Sequence, residues 1–271
     1  MRILFIGEIV GKAGHFTLKS SLPDLIDDRK VDFVAANANG ATGGFGLGKN
    51  HSITLRKKGI RVLTGGECIY YKKDMVEYLA KAPWILRPAN LPPGIPGRGW
   101  GVYDTPAGEV GIICMIGQSG YPRIHGNNPY TYLPEIVRKI RERTSVILLN
   151  FHATTTAERR TMAFHSDGLV SAMIGTGTRC QTADAEVFPG GTAVITDAGR
   201  TGSRSSIYGM DSETEMRILL RRVPERSKDG WGDLRLQGVI LDIGEDGKAR
   251  SIESVDIPSK EEPNDPNGDG G

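Results

Sequence analysis

The sequence predicts an α/β protein built as layered sheet flanked by helices, and two patterns carry that prediction. Short unbroken apolar runs, such as Ile3–Ile6 and Phe33–Ala36, lack the alternation of a half-exposed strand and so read as strands covered on both faces. Each run ends in small and polar residues and is followed by a segment with apolar residues at helical spacing. The 36 glycines cluster at those strand ends, where the backbone must turn closely. Ligands of open α/β sheets gather at that edge.

The first strand runs into Gly7-Glu8-Ile9-Val10-Gly11, which sets a carboxylate at the carboxyl edge of a central strand. Leu18, Leu22, Leu25 and Ile26 predict a helix over Phe16–Ile26, with Pro23 leaving its limits open. The second strand enters a glycine-rich stretch, Asn37–Gly46, that lacks the Lys-Ser/Thr of a P-loop and the spacing of a dinucleotide fingerprint. A helix over Ser52–Lys58 and a strand over Arg61–Thr64 follow, and that strand ends in Gly65-Gly66-Glu67-Cys68, a second small turn carrying an acid. Lys72–Lys81 reads as a helix, and the prolines of Leu86–Gly97 exclude regular structure there.

The alternation then repeats. Gly101–Asp104 and Val110–Ile116 predict a hairpin, and Tyr132–Arg143 a helix whose basic face is solvated. Ser145–His152 predicts a buried strand with Asn150 and His152 at its polar end. Strands are expected at Ser171–Gly175 and Gly191–Asp197, a glycine and serine loop at Gly199–Gly209, and a helix capped by Asp211 and running to Arg221. Arg235–Ile243 and Ala249–Asp256 read as a hairpin turned at Glu245-Asp-Gly247. Residues 1–257 form one domain in this reading, and residues 258–271, acidic and rich in Pro and Gly, a disordered tail.

Charge and cysteine content bound the function. A net charge of +2 arises from 34 basic and 32 acidic residues, so no global field marks nucleic acid or an anionic membrane as the partner. No apolar run reaches the length of a membrane span, and no signal-peptide layout opens the chain. Three cysteines without C-x-x-C spacing suit a reducing, cytoplasmic setting.

Six collinear segments resemble one family: Ile3–Gly11, Arg87-Pro-Ala-Asn90, Phe151-His152-Ala153, Asp167-Gly168, Gln181-Thr-Ala-Asp184 and Gly209-Met-Asp211. Over roughly residues 1–256 the chain is similar to YmdB-type bacterial metallophosphoesterases. The resemblance implies the calcineurin-like fold, a layered β sandwich flanked by helices, with a dinuclear metal site that hydrolyses cyclic nucleotides or other phosphodiesters. It implies ligands at successive strand ends: an Asp, a Glu-Asn pair, an Asn-His pair, a His and a His-x-His.

This chain carries Glu8 at the first position, Asn39-Gly40 at the second, Glu67-Cys68 at the third, His152 at the fourth, and Gly177 and Arg179 at the last. Cys68 stands where the family has its proton donor. A guanidinium repels a metal ion, so the pattern predicts that Arg179 takes a cation's place and pairs with both Glu8 and Glu67. The expectation that follows is a non-catalytic module with no cofactor and no catalytic residue, used for binding or assembly and retaining a cleft for a nucleotide or phosphorylated ligand. The same substitutions leave a second reading: a phosphodiesterase with one divalent ion (Mn, Fe or Mg) on Glu8, Asn39, Glu67 and His152. Cys68 as a nucleophile is disfavoured beside two acids, and filling the space of a histidine suits it better. Homo-oligomerisation is expected; the sequence names no protein partner.

Overall fold

The computed structural model describes residues 1–121 and 123–262. The first half comprises β1 (Arg2–Ile6), β2 (Glu8–Ile9), α1 (Gly11–Asp28), β3 (Phe33–Asn37), α2 (Lys49–Lys57), β4 (Val62–Thr64), α3 (Lys73–Leu79) and β5 (Ile85–Leu86). Next come β6 (Trp100–Thr105), β7 (Gly108–Ile116), α4 (Pro129–Arg141), β8 (Ile147–His152), α5 (Thr156–Ser166) and β9 (Ala172–Thr176). The chain closes with β10 (Glu186–Val187), β11 (Ala193–Ile195), β12 (Arg200–Ser205), α6 (Ser212–Arg221), β13 (Gly232–Ile243) and β14 (Ala249–Pro258).

Two sheets face each other. One has the order β2-β12-β13-β1-β3-β4-β5, with β14 added to β13, and the other the order β10-β11-β9-β8-β7-β6. The strands that lead into the site run parallel to their neighbours: β1 with β3, β3 with β4, β7 with β8 and β8 with β9. Their carboxyl ends therefore share one edge.

The unbroken apolar run of β1 is resolved by its pleat. Ile3 and Phe5 point into the core between the sheets, with Phe33, Ile112, Leu148 and Ile174, while Leu4 and Ile6 pack outward with Leu18, Leu22 and Leu25 of α1. A third cluster joins Ile113, Leu149 and Phe151 of the second sheet to Leu133, Val137 and Ile140 of α4 and Met162 of α5. Both sheets are thus buried on two faces, and the expected sandwich between helices is what forms.

Several expectations need correction. Helix α1 begins at Gly11, five residues before the expected Phe16, and continues through Pro23. Gly11 does turn the backbone (φ 57°), whereas Gly14, inside the helix, serves close packing: a Cβ on it would lie 2.6 Å from the Thr201 carbonyl oxygen of β12. The stretch expected as a loop after Gly199 contains strand β12, which pairs with β13 and with Glu8–Ile9. Its sequence, Arg-Thr-Gly-Ser-Arg-Ser, has no apolar signature; main-chain partners on both sides make it a strand. Helix α5 was not expected, since its buried face holds Arg159 and Ser166 beside only two apolar residues. The start of the expected tail is structured: Pro258 ends β14, and Ser259 bonds the Leu234 carbonyl and the Ser20 hydroxyl. The rest of that tail, residues 263–271, lies outside the described residues.

Candidate active site

Five strand ends deliver the polar residues singled out in the sequence. Glu8 follows β1, Asn39 and Gly40 follow β3, Glu67 and Cys68 follow β4, His152 ends β8, and Gly177 and Arg179 follow β9. They assemble into two adjoining groups.

The first group is an ion pair. Arg179 Nη2 lies 2.7 Å from Glu8 Oε1, with both side chains about 1 % exposed. The same nitrogen donates to the Gly44 carbonyl at 2.7 Å, and Nη1 donates to the Tyr208 carbonyl at 2.8 Å. The Tyr208 ring lies over the guanidinium at 4.0 Å and the Phe45 ring at 5.8 Å, while the Tyr208 hydroxyl donates to the Gly177 carbonyl. Gly40 makes room for this: a Cβ there would meet Arg179 Nη2 at 2.7 Å and Glu8 Oε1 at 3.1 Å. Arg179 itself holds a left-handed backbone (φ 57°), a cost that its buried contacts must offset. The pairing with Glu8 is as expected. The expected second pairing, with Glu67, does not form.

Glu67 instead meets His152, with Oε2 and Nε2 2.7 Å apart. The imidazole is buried, whereas the carboxylate keeps 22 % of its side-chain surface exposed and so forms the open end of the site. Burial would raise the Glu67 pKa, but the His152 hydrogen bond and charge outweigh it and hold the carboxyl at about 2. Burial likewise opposes the imidazolium, and Glu67 and Glu8 outweigh it, so the His152 pKa is raised.

A buried amide network fixes the ring. Thr176 Oγ1 lies 3.0 Å from His152 Nδ1 and accepts from Asn37 Nδ2 and Asn150 Nδ2. Those two amides are oriented by main-chain groups: Asn37 Oδ1 accepts from the Asn39 N–H, and Asn150 Nδ2 donates to the Ile174 carbonyl. His152 Nδ1 thus shares a hydrogen bond with the Thr176 hydroxyl while Nε2 faces Glu67 Oε2, and which partner donates in each follows the ring's tautomer. Asn37 Nδ2 and Thr64 Oγ1 also bond Asn150 Oδ1, which ties the two sheets together beneath the site.

Asn39 does not present a ligand oxygen. Its Oδ1 accepts from the Cys68 N–H at 3.0 Å, and its Nδ2 donates to Glu67 Oε2 at 3.0 Å. Cys68 is buried, and its Sγ donates to Glu67 Oε1 at 3.3 Å. Burial, then Glu67, pushes the thiol pKa far above its usual value, so it stays protonated and supports the carboxylate. Sequence reasoning missed Thr64, Tyr121 and Thr176. The Tyr121 ring stacks on His152 at 6.0 Å, and nothing in its surrounding sequence signals that contact.

A family model described as YmdB-like protein matches residues 4–255. The chain belongs to the YmdB-like family. It is 35 % identical, over 94 % of its length and 96 % of the relative's, to a 2',3'-cyclic-nucleotide 2'-phosphodiesterase of Bacillus subtilis. Among solved structures it is similar to a hypothetical protein from Thermus thermophilus (TM-score 0.88, 30 % identity, 96 % of this chain and 100 % of that one). It is also similar to a phosphatase from Mycoplasma pneumoniae (TM-score 0.89, 27 % identity, 95 % and 93 % covered). The fold is that of the calcineurin-like phosphoesterases.

These relatives overturn two expectations. A non-catalytic module is contradicted by a phosphodiesterase and a phosphatase that resemble YmdB-like residues 4–255 from end to end. The absence of a cofactor is contradicted by the same membership, because the family is metal-dependent. Substitution of ligand positions misled the reading, since loss of one half of a site does not remove the other.

The residues present bear on how many ions can be held. Among the described residues no three His, Cys, Asp or Glu side chains converge as ligands, and the Arg179 guanidinium occupies the Glu8 end. A pair of ions does not fit this donor set. One ion does: Glu67 and His152 are adjacent at the open end and would hold it through two side chains. An ion held by one or two protein side chains and completed by solvent and phosphate oxygens is a common arrangement.

Proposed function

We propose that this YmdB-like chain hydrolyses a cyclic-nucleotide phosphodiester, in a site remodelled around Glu67 and His152 to hold one divalent ion, Mn, Fe or Mg. The observation that carries the reading is the Glu67–His152 pair, an ionised and partly exposed carboxylate 2.7 Å from an oriented imidazole. The Bacillus relative's activity supplies the substrate class.

In the reaction a water oxygen bonds to phosphorus, the bond from phosphorus to the 2' oxygen breaks, and that oxygen takes up a proton. A bound ion would stabilise charge on the phosphoryl group and make the attacking water more acidic. Glu67 Oε2 and His152 Nε2 would hold it, with the proton between them released and the imidazole's remaining proton on Nδ1, toward Thr176 Oγ1. Thr176, Asn37 and Asn150 keep the imidazole in one orientation, so the ring is ready before substrate arrives. Asn39 and Cys68 donate to the two oxygens of Glu67 and fix its plane. Arg179 supplies the positive charge that a second ion would otherwise bring, buried beneath Phe45 and Tyr208. A cytoplasmic setting belongs to the same reading; three unpaired cysteines suit a reducing compartment, and no described helix is long and apolar enough to cross a membrane.

The test is turnover of 2',3'-cyclic nucleotides and of bis(p-nitrophenyl) phosphate by protein stripped of metal and reloaded with manganese, iron or magnesium. Activity restored by one of these ions, with saturation at one ion per chain, is expected. His152→Ala should lower turnover about 100-fold or more while the circular dichroism spectrum is kept. Wild-type protein that turns over neither substrate with any of the three ions overturns the reading.

A further inference from the structure

The glycine-rich loop after β3 holds an exposed aromatic ring beside the active site. Gly43, Gly44 and Gly46 take left-handed backbone angles (φ 64°, 80° and 86°). A Cβ on Gly44 would lie 2.7 Å from Met210 Sδ, and one on Gly46 would lie 2.9 Å from the Cys68 carbonyl oxygen, so the chain on both sides of Phe45 is packed against its neighbours. Hydrogen bonds fix it further: the Thr42 N–H donates to the Gly46 carbonyl, the Gly46 N–H to the Asn39 carbonyl, and Arg179 Nη2 to the Gly44 carbonyl. The loop is thus anchored on either side of its tip, yet the tip carries a phenylalanine that is 45 % exposed.

A second ring stands next to it. Tyr71 is 60 % exposed, and a Cβ on Gly46 would come within 3.2 Å of the Tyr71 Cβ, so Phe45 and Tyr71 leave neighbouring stretches of backbone. Both border the site. The Arg179 guanidinium lies over the Phe45 ring at 5.8 Å, and Cys68, then burial and Glu67, raise the pKa of the Tyr71 phenol. Two side chains are far too small a patch for a protein interface of roughly 800 Å² per partner. They match the flat face of one nucleobase, which in a cyclic nucleotide lies a single ribose away from the phosphate.

We propose that Phe45, with Tyr71 at its side, is the stacking platform for the nucleobase of the substrate and so a specificity-determining residue. The inference rests on the cyclic-nucleotide reading above and adds to it the part of the substrate that no ion contacts. Stacking needs only a π face, so the platform selects diesters that carry a base over those that carry none, whichever base it is. The glycines serve this role by holding the ring still: a platform fixed before binding costs less order when the base arrives.

Calorimetric titration of the manganese-loaded protein with adenosine 3'-monophosphate and with inorganic phosphate tests the platform without turnover. The wild type is expected to bind the nucleotide about tenfold more tightly than phosphate. Phe45→Leu keeps an apolar cover over Arg179 but has no π face, and should weaken the nucleotide about tenfold and phosphate less than about twofold, whereas Phe45→Trp keeps the nucleotide affinity. In turnover, Phe45→Leu should raise KM for adenosine 2',3'-cyclic phosphate about tenfold, with a loss in kcat/KM about fivefold smaller for methyl riboside 2',3'-cyclic phosphate, which has no base. A wild type that binds the nucleotide no more tightly than phosphate, or a Phe45→Leu variant that loses nothing or loses both ligands equally, overturns the platform whatever the turnover shows. A protein that binds the nucleotide through Phe45 and turns over no diester keeps the platform and overturns the hydrolysis alone.

Discussion

At the scale of single residues, the positive charge of Arg179 is what makes a buried Glu8 tolerable. A carboxylate with no exposed surface would otherwise face the desolvation cost of an isolated charge. Arg179→Ala leaves that charge unpaired and should destabilise the fold by about 3–5 kcal/mol in urea titration. Arg179→Met combined with Glu8→Leu should recover most of the loss, since two apolar side chains need no partner. Equal losses for the single and double variants would show that packing, and not charge pairing, sets the cost. Arg179 and Glu8 were both visible as an unusual pair in the sequence, because a cation and an acid stood at two strand ends expected to carry ligands. The partner of Glu67 was not visible: Glu67 and Arg179 follow different strands, and only the arrangement of side chains sends the acid to His152.

At the scale of elements, α1 and α2 meet through two histidines. The His15 and His51 ring centroids are 4.5 Å apart. Burial, followed by the neighbouring His51, lowers the His15 pKa to about 4, and burial lowers that of His51 also. A histidine whose folded value lies below its unfolded value contributes stability that is complete above about pH 6.5 and is lost as pH falls toward 4. Thermal denaturation between pH 7 and 4 should therefore show a loss of stability that is reduced in His15→Asn; a variant with the same pH dependence as wild type would refute the assignment. The elements themselves were unevenly legible. Strands β1, β3, β4 and β8 carry continuous apolar runs and were readable, as was the hairpin of β13 and β14. Strand β12 and helix α5 were not, since β12 is made by pairing on both sides, and α5 buries Arg159 against Asp197 at 2.6 Å where a helix normally buries an apolar stripe.

At the scale of the whole molecule, the two sheets share the cluster formed by Phe5, Phe33, Ile112, Leu148 and Ile174, and the amide network of Asn37, Thr64 and Asn150 crosses between them at the site. Neither sheet can open without exposing both. Phe5→Ala should cost about 3–5 kcal/mol and leave unfolding a single transition by fluorescence and circular dichroism alike. Two separated transitions would mean that the sheets unfold independently.

What the sequence determined by itself was the alternation of buried strands and helices, the family, and the set of strand-end residues, because apolar period and residue order are local properties of the chain. Which of those residues face one another was decided only in three dimensions. Arg179 turns inward because Gly40 leaves it space, and Glu67 turns to His152 because Asn39 and Cys68 hold both carboxylate oxygens in place. Such choices depend on close approach between segments far apart in the chain, and no local pattern of residue types encodes them.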